Sequence, residues 1–194
     1  MPSKKVKRLE KFKTITTEVY ALTLGLGAFS LSMIPLGGML DVAQTIITFA
    51  IAFFYIVVIW MTHSRFFEDY PLYDDTFLGL NFVILFLVAV SPYMVQSMFS
   101  SQELLDPVSI MCALDMVGIY LILGYFHQRF LQQNKDLNPK QKQQVKLQRN
   151  IQLITALWFL ASTQVPVANR FIFWWVMAPI IPIYRIFIAP RHIK

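Results

Sequence analysis

Two acids stand inside apolar sequence, Glu18 and Asp115. A carboxylate set into hydrocarbon costs free energy, so each is a candidate functional group by default. Glu18 lies about one helical turn into the first apolar stretch, near its inner end. At helical spacing Glu18, Leu22, Gly25 and Phe29 fall at steps of four, three and four and share one face. An acid at the mouth with apolar residues above it is the arrangement a cation pore with a hydrophobic constriction needs. Carboxylates there concentrate cations, and the apolar ring gates by narrowing or dewetting. The same stripe also suits helix packing, with Gly25 and Gly27 allowing close approach. Asp115, about two turns into the fourth stretch, reads as a hydrogen-bonding group toward a neighbouring helix or as an ion or proton site. A third constellation gathers at helix ends. Trp60, His63, Arg65 and Phe67 close one stretch and Asn81 opens the next, so His63 and Asn81 are expected side by side. A neutral imidazole and a carboxamide can satisfy one another, with Lys11 or Thr17 of the first helix in reach. Such a network would fix the rotation of that helix.

Nothing in the chain converges as catalytic machinery: no His/Asp/Glu or Ser/Lys set collects on one membrane face, and a non-enzyme is expected. The single cysteine, Cys112, rules out a disulfide framework and a cysteine-rich metal site. The histidines at 63, 127 and 192 are too scattered to make a metal cluster by spacing, and no cofactor is implied.

The elements that position these residues are apolar. The chain has 194 residues, 56% hydrophobic and 14% charged, with mean hydropathy +0.53. A soluble domain carries about 25% charged residues, and a chain this size has too much surface to cover for the gap to be closed by a larger core. These values exclude a disordered or nucleic-acid-binding tail and point to a polytopic membrane protein. Six segments approach the roughly 20 apolar residues that a membrane crossing needs: 15–34, 42–61, 77–99, 108–126, 151–167 and 171–188. A tight turn at Ala168–Asn169–Arg170 is expected between the last two. The first is too long for a cleaved signal, and no repeat is visible. Trp174, Trp175 and Tyr184 read as interface anchors.

Lysine and arginine set the orientation. With alternating spans, 16 of the 17 basic residues fall on one side, in the arm 1–13, at Arg65, in the polar loop 128–149 and at Arg185, Arg191 and Lys194. Arg170 alone lies opposite, beside Asp41, Glu103 and Asp106. Both termini are therefore expected in the cytoplasm. The loop 128–149 is expected to extend the fourth or fifth helix. Its charge, like that of the arm, is read as topology-setting and headgroup contact rather than as nucleic-acid binding.

The tract Trp60-x-x-His63-x-Arg65-x-Phe67, the acidic stretch after it, Leu80-Asn81 and the apolar run ending at Pro92 resemble the transmembrane protein 175 family of potassium channels. The resemblance implies one six-helix repeat per chain, homotetramers, a pore lined by the first helices and a preference for potassium over sodium. It also implies bulky apolar side chains as the constriction, and no Thr-Val-Gly-Tyr-Gly filter occurs here. The family's first-helix motif, Arg-x-x-x-Phe-Ser-Asp, is tied to the His and Asn of the next two spans. One register puts Lys11 at the Arg, Ile15 at the Phe, Thr16 at the Ser and Thr17 at the Asp; another starts from Arg8 and Phe12. In the first, the constricting positions fall on Leu22 and Phe29 and the pore threonine on Gly25, while Glu18 adds a ring of carboxylates.

The sequence thus predicts an all-α membrane protein of one six-helix domain, 1–194. It is expected to be a homotetrameric channel in the cell membrane, permeable to monovalent cations and to potassium in particular. Glu18, Leu22, Gly25 and Phe29 would line the pore, anchored by Lys11, Thr16, Thr17, Trp60, His63 and Asn81. The rivals are an ion-coupled transporter built on Asp115 and a non-conducting membrane scaffold.

Overall fold

The structure, a computed structural model, describes residues 4–32, 38–69, 75–100, 102–170, 172–174 and 176. All regular structure in them is helical. α1 runs Lys4–Ser32, α2 Met39–Asp69, α3 Asp75–Ser100, α4 Gln102–Gln133 and α5 Pro139–Ser162. A sixth helix, α6, is in place over 167–170, 172–174 and 176. The residues from 4 to 13 are the first turns of α1 rather than a separate arm: lysine, arginine, leucine and glutamate are all strong helix formers.

Among the described residues two helices are long and apolar enough to cross a membrane on their own composition, Thr76–Met98 and Glu103–Gln133. α2 carries a shorter apolar segment, Ala52–Phe67. α5 falls short because its first half is lysine and glutamine.

The chain divides within α4 into two compact units, Met1–Cys112 and Ala113–Lys194. In the first, α1, α2 and α3 pack together. α3 buries Phe77, Asn81, Ile84, Val88 and Ser91, whose spacing of four, three, four and three makes one face. α2 answers with Ile56, Ile59, His63, Phe66 and Phe67. Aromatic rings fill the junction: Phe66 and Phe67 lie 5.8 and 5.5 Å from Phe77, centroid to centroid. Farther along, Gly27 of α1 meets Pro92 of α3, where a Cβ on the glycine would stand 3.3 Å from the proline's. A side chain at this position would make the proline give way by a few tenths of an ångström. A small apolar cleft opens beside it, between Thr23, Gly27, Phe49, Ala52, Phe53 and Pro92.

In the second unit the far half of α4 packs against α5. Tyr120 stacks on Phe159 at 6.0 Å, Gly124 admits Leu153, and Arg149 donates through Nη1 to Gln128 Oε1 at 2.7 Å. The polar stretch 128–149 is mostly helix: α4 continues to Gln133, and α5 starts at Pro139 with Asn138 as N-cap in a reciprocal box with Gln141.

Two expectations for the C-terminal hairpin are corrected. α5 ends at Ser162, so the turn covers 163–166, about five residues before the expected Ala168–Asn169–Arg170, which is already helical. Pro166 sets this stop, since the residue before a proline is held out of the helical region. Nor is Trp174 an interface anchor: it is buried and donates to Ser162 Oγ at 2.9 Å. Trp175, Tyr184, Arg185, Arg191 and Lys194 lie outside the described residues.

Candidate functional site

α1 presents two faces of opposite character. Thr16, Tyr20, Thr23 and Gly27 are spaced by four, three and four; the first three are buried, and Gly27 lies against Pro92. Roughly opposite, at about 100° per residue, lie Glu18, Leu22, Gly25 and Phe29. All four are exposed, Leu22 at 63% and Phe29 at 58% of their surface. Nothing stands within 4 Å of where a Cβ on Gly25 would be. The four residues that the sequence puts on one stripe therefore lie together, on a face that the chain's own α2 and α3 do not cover.

The buried face is held by a polar chain. His63, fully buried, hydrogen-bonds through Nε2 to Asn81 Oδ1 at 2.5 Å, and Asn81 Nδ2 donates to the Phe77 carbonyl at 2.7 Å. With the Asn81 amide so oriented, its oxygen is the acceptor and His63 Nε2 carries the proton. Nδ1 of the neutral ring is then an acceptor, and the Tyr20 hydroxyl donates to it at 3.3 Å. One chain of hydrogen bonds thus runs from α1 through α2 to α3, and each buried polar atom in it has a role its chemistry allows. The rings add contact, with Tyr20 edge-on to His63 at 6.1 Å and Phe67 4.9 Å from it.

The α1 member of this chain is Tyr20, which the sequence reading passed over. Thr17 is exposed and its hydroxyl donates to the Lys13 carbonyl of its own helix at 3.1 Å. Thr16 is buried on the packed face. Lys11 lies within α1, and its side chain is outside the described residues. Trp60 is half-buried, and its indole N–H has no hydrogen-bond partner among the described residues. The signal for Tyr20 was present in the sequence: it falls one turn past Thr16 on the same face, and a buried tyrosine hydroxyl needs a partner. Asp115 is buried in α4. Arg170 is buried too, donating to the Ser162 and Val165 carbonyls at 3.0 and 2.9 Å, and so caps the C-terminal end of α5.

Comparison with known proteins bears on the same helices. Residues 8–92 match the sequence profile of the family described as endosomal/lysosomal potassium channel TMEM175. That stretch contains most of α1, all of α2 and most of α3. Two solved structures share the fold. A homolog, from Chamaesiphon minutus, of the lysosomal potassium-selective channel TMEM175 aligns with a TM-score of 0.77 at 14% identity, over 91% of this chain and 97% of that one. The potassium channel MtTMEM175, as a single-substitution variant in complex with a nanobody fusion protein, aligns with a TM-score of 0.68 at 22% identity, over 91% of this chain and 90% of that one. A search of curated protein sequences finds no match. The profile match is thus confined to the first three helices, and the two solved structures share the fold.

Proposed function

We propose that this chain is a member of the TMEM175 family and forms a homotetrameric cation channel in the cell membrane, permeable to potassium and lined by α1. The observation that carries the reading is the two-faced α1. One face is tied to α2 and α3, and the other leaves Glu18, Leu22, Gly25 and Phe29 in line and uncovered. Four copies around an axis would bring those faces together. Glu18 would form a ring of four carboxylates at the cytoplasmic mouth, attracting cations without choosing among them. Leu22 and Phe29 would narrow the path, and partly dehydrated ions would pass down their electrochemical gradient. Gly25 offers no hydroxyl between them.

Tyr20, His63 and Asn81 act here as positioning residues. Their hydrogen bonds set which face of α1 turns to the axis, a role that needs no chemistry beyond geometry. The excess of lysine and arginine at 4–13, 65 and 129–149 supports a cytoplasmic N-terminus. Six crossings would bring the C-terminus to the same side.

The test is the reversal potential of the purified full chain in a planar bilayer, with potassium on one side and sodium on the other. A reversal near the potassium potential supports a potassium channel. A reversal near zero with robust current retains the cation channel and removes its selectivity. An absence of current from folded, tetrameric protein would replace this reading with a non-conducting membrane scaffold.

A further inference from the structure

We propose that Lys142, Lys146 and Arg149 form a stripe on α5 that binds the phosphate headgroups of anionic lipids in the cytoplasmic leaflet. This inference rests on α5 lying in the membrane beside α4 and not on ion conduction. The phase of the helix carries it. Lys142, Lys146 and Arg149 fall at steps of four and three, and the series continues through Leu153, Leu157 and Leu160 at steps of four, four and three. At about 100° per residue all six lie within an arc of about 80°. Lys142, Lys146, Leu153, Leu157 and Leu160 are exposed. One face of α5 thus changes from exposed leucine to exposed cation without turning, so the cations stand above the lipids that the leucines touch.

Depth comes from the pairing with α4. Tyr120 stacks on Phe159, Gly124 admits Leu153, and Gln128 accepts from Arg149. Arg149 is therefore level with Gln128, just past the end of the apolar run of α4 at Phe126. At 1.5 Å per residue, Lys146 is about 4.5 Å and Lys142 about 10 Å farther out. The headgroup layer is roughly 5–7 Å thick on each side of the hydrocarbon. Arg149 and Lys146 stand within it, and Lys142 reaches back to it on a long flexible stem. The hairpin is rigid enough to hold them there: the capping box at Asn138 starts α5, and Val145, about 80° round the helix from the centre of the stripe, is buried. Asp136, the one acid between 128 and 149, lies in the turn, outside α5. Lys140, by contrast, lies about 140° from the centre of the stripe.

The measurement uses the full chain in phosphatidylcholine bilayers containing a trace of spin-labelled lipid. Electron paramagnetic resonance reads how strongly labelled phosphatidylglycerol is immobilised at the protein relative to labelled phosphatidylcholine. The wild type should prefer phosphatidylglycerol, and the preference should shrink with salt. Lys142→Gln with Lys146→Gln should remove most of it, about fivefold per charge at a headgroup in reach. Arg149 is left alone because it also joins α5 to α4. Lys135→Gln with Lys140→Gln removes the same charge off the stripe and should leave the preference nearly intact. Equal loss in both pairs would overturn the proposal in favour of diffuse charge, and no preference in the wild type would overturn it outright. Protection of Lys142 and Lys146 from acylation in lipid-free micelles would overturn it too, since a protein surface would then cover them.

Discussion

Replacing Tyr20 by phenylalanine removes one hydroxyl and leaves the ring, its packing and its edge-on contact with His63 in place. What is lost is the donor to His63 Nδ1 at 3.3 Å, near the long end of the hydrogen-bond range. Hydrogen bonds between membrane helices average about 0.6 kcal/mol in double-mutant cycles, with a maximum near 1.7. A buried acceptor left without a donor costs about 1–3 kcal/mol. With a long bond but a fully buried imidazole, Tyr20→Phe should destabilise the fold by about 1 kcal/mol. The decisive comparison is the same change in a His63→Leu background, where the acceptor is gone and the cost should fall to within about 0.3 kcal/mol of zero. Reversible unfolding in mixed micelles, by titration with a denaturing detergent, reads all four corners of the cycle. Thr17→Ala is the built-in contrast. Its hydroxyl is exposed and bonded within α1, so it should change stability by less than about 0.5 kcal/mol in either background. If Tyr20→Phe costs the same with and without the imidazole, the tyrosine does not anchor α1 through His63 and the reasoning fails.

The proposed pore makes further changes informative. Glu18→Gln should lower cation conductance at low salt and match the wild type near 1 M, because the Debye length shrinks from about 30 Å at 0.01 M to about 3 Å; single-channel currents across a salt series measure it. Phe29→Ala removes the bulkier constriction residue and should raise unitary conductance, whereas an unchanged current would place the narrow part elsewhere. Gly27→Leu and Gly25→Leu separate packing from pore. The first drives a side chain into Pro92 and should cost about 1–3 kcal/mol in the detergent titration, while the second meets open space, leaves the fold intact and narrows the path. In the second unit Arg170→Leu strips two carbonyls at the end of α5 of a charged donor and should cost about 2–3 kcal/mol by the same measurement.

What the sequence made legible followed from periodicity. The α1 stripe of Glu18, Leu22, Gly25 and Phe29 could be read because helical phase alone decides which residues share a face. His63 beside Asn81 could be read because consecutive helices joined by a short loop bring their near ends to one depth. Thr17 against Tyr20 could not be separated that way. Both are polar-capable residues near the middle of α1, three positions apart, and three positions are most of a turn. Choosing between them requires knowing which side of α1 meets α2, a fact of packing. Attention to Thr17 also came from matching a motif position, while the tyrosine hydroxyl reaches His63 from one turn farther along the helix. The stop of α5 at Ser162 was readable in principle from Pro166. It was hidden by apolar residues running on past the helix end, since hydropathy does not register where backbone hydrogen bonds cease. Trp174 misled for a related reason: an aromatic residue near a span end suits an interface, but Ser162 offers its indole a buried acceptor.

The strongest argument for an axial face lies in a contrast between two exposed surfaces of the same unit. α3 exposes Phe82, Val83, Phe86, Ala89 and Tyr93, a surface with no charged group in it, as a helix facing lipid tails should. α1 exposes Thr17, Glu18, Ala21, Gly25 and Ala28 among its leucines and Phe29. An acid on a lipid-facing surface is costly, and glycine there wastes the contact that a larger side chain would make with the tails. Small and polar residues gain where helices approach one another or where water enters. The outward surface of α3 therefore suits the bilayer, and that of α1 suits a partner helix or a wet path. Copies of α1 meeting around an axis supply both conditions together, with Ala21, Gly25 and Ala28 allowing close approach and Glu18 opening onto water at the end.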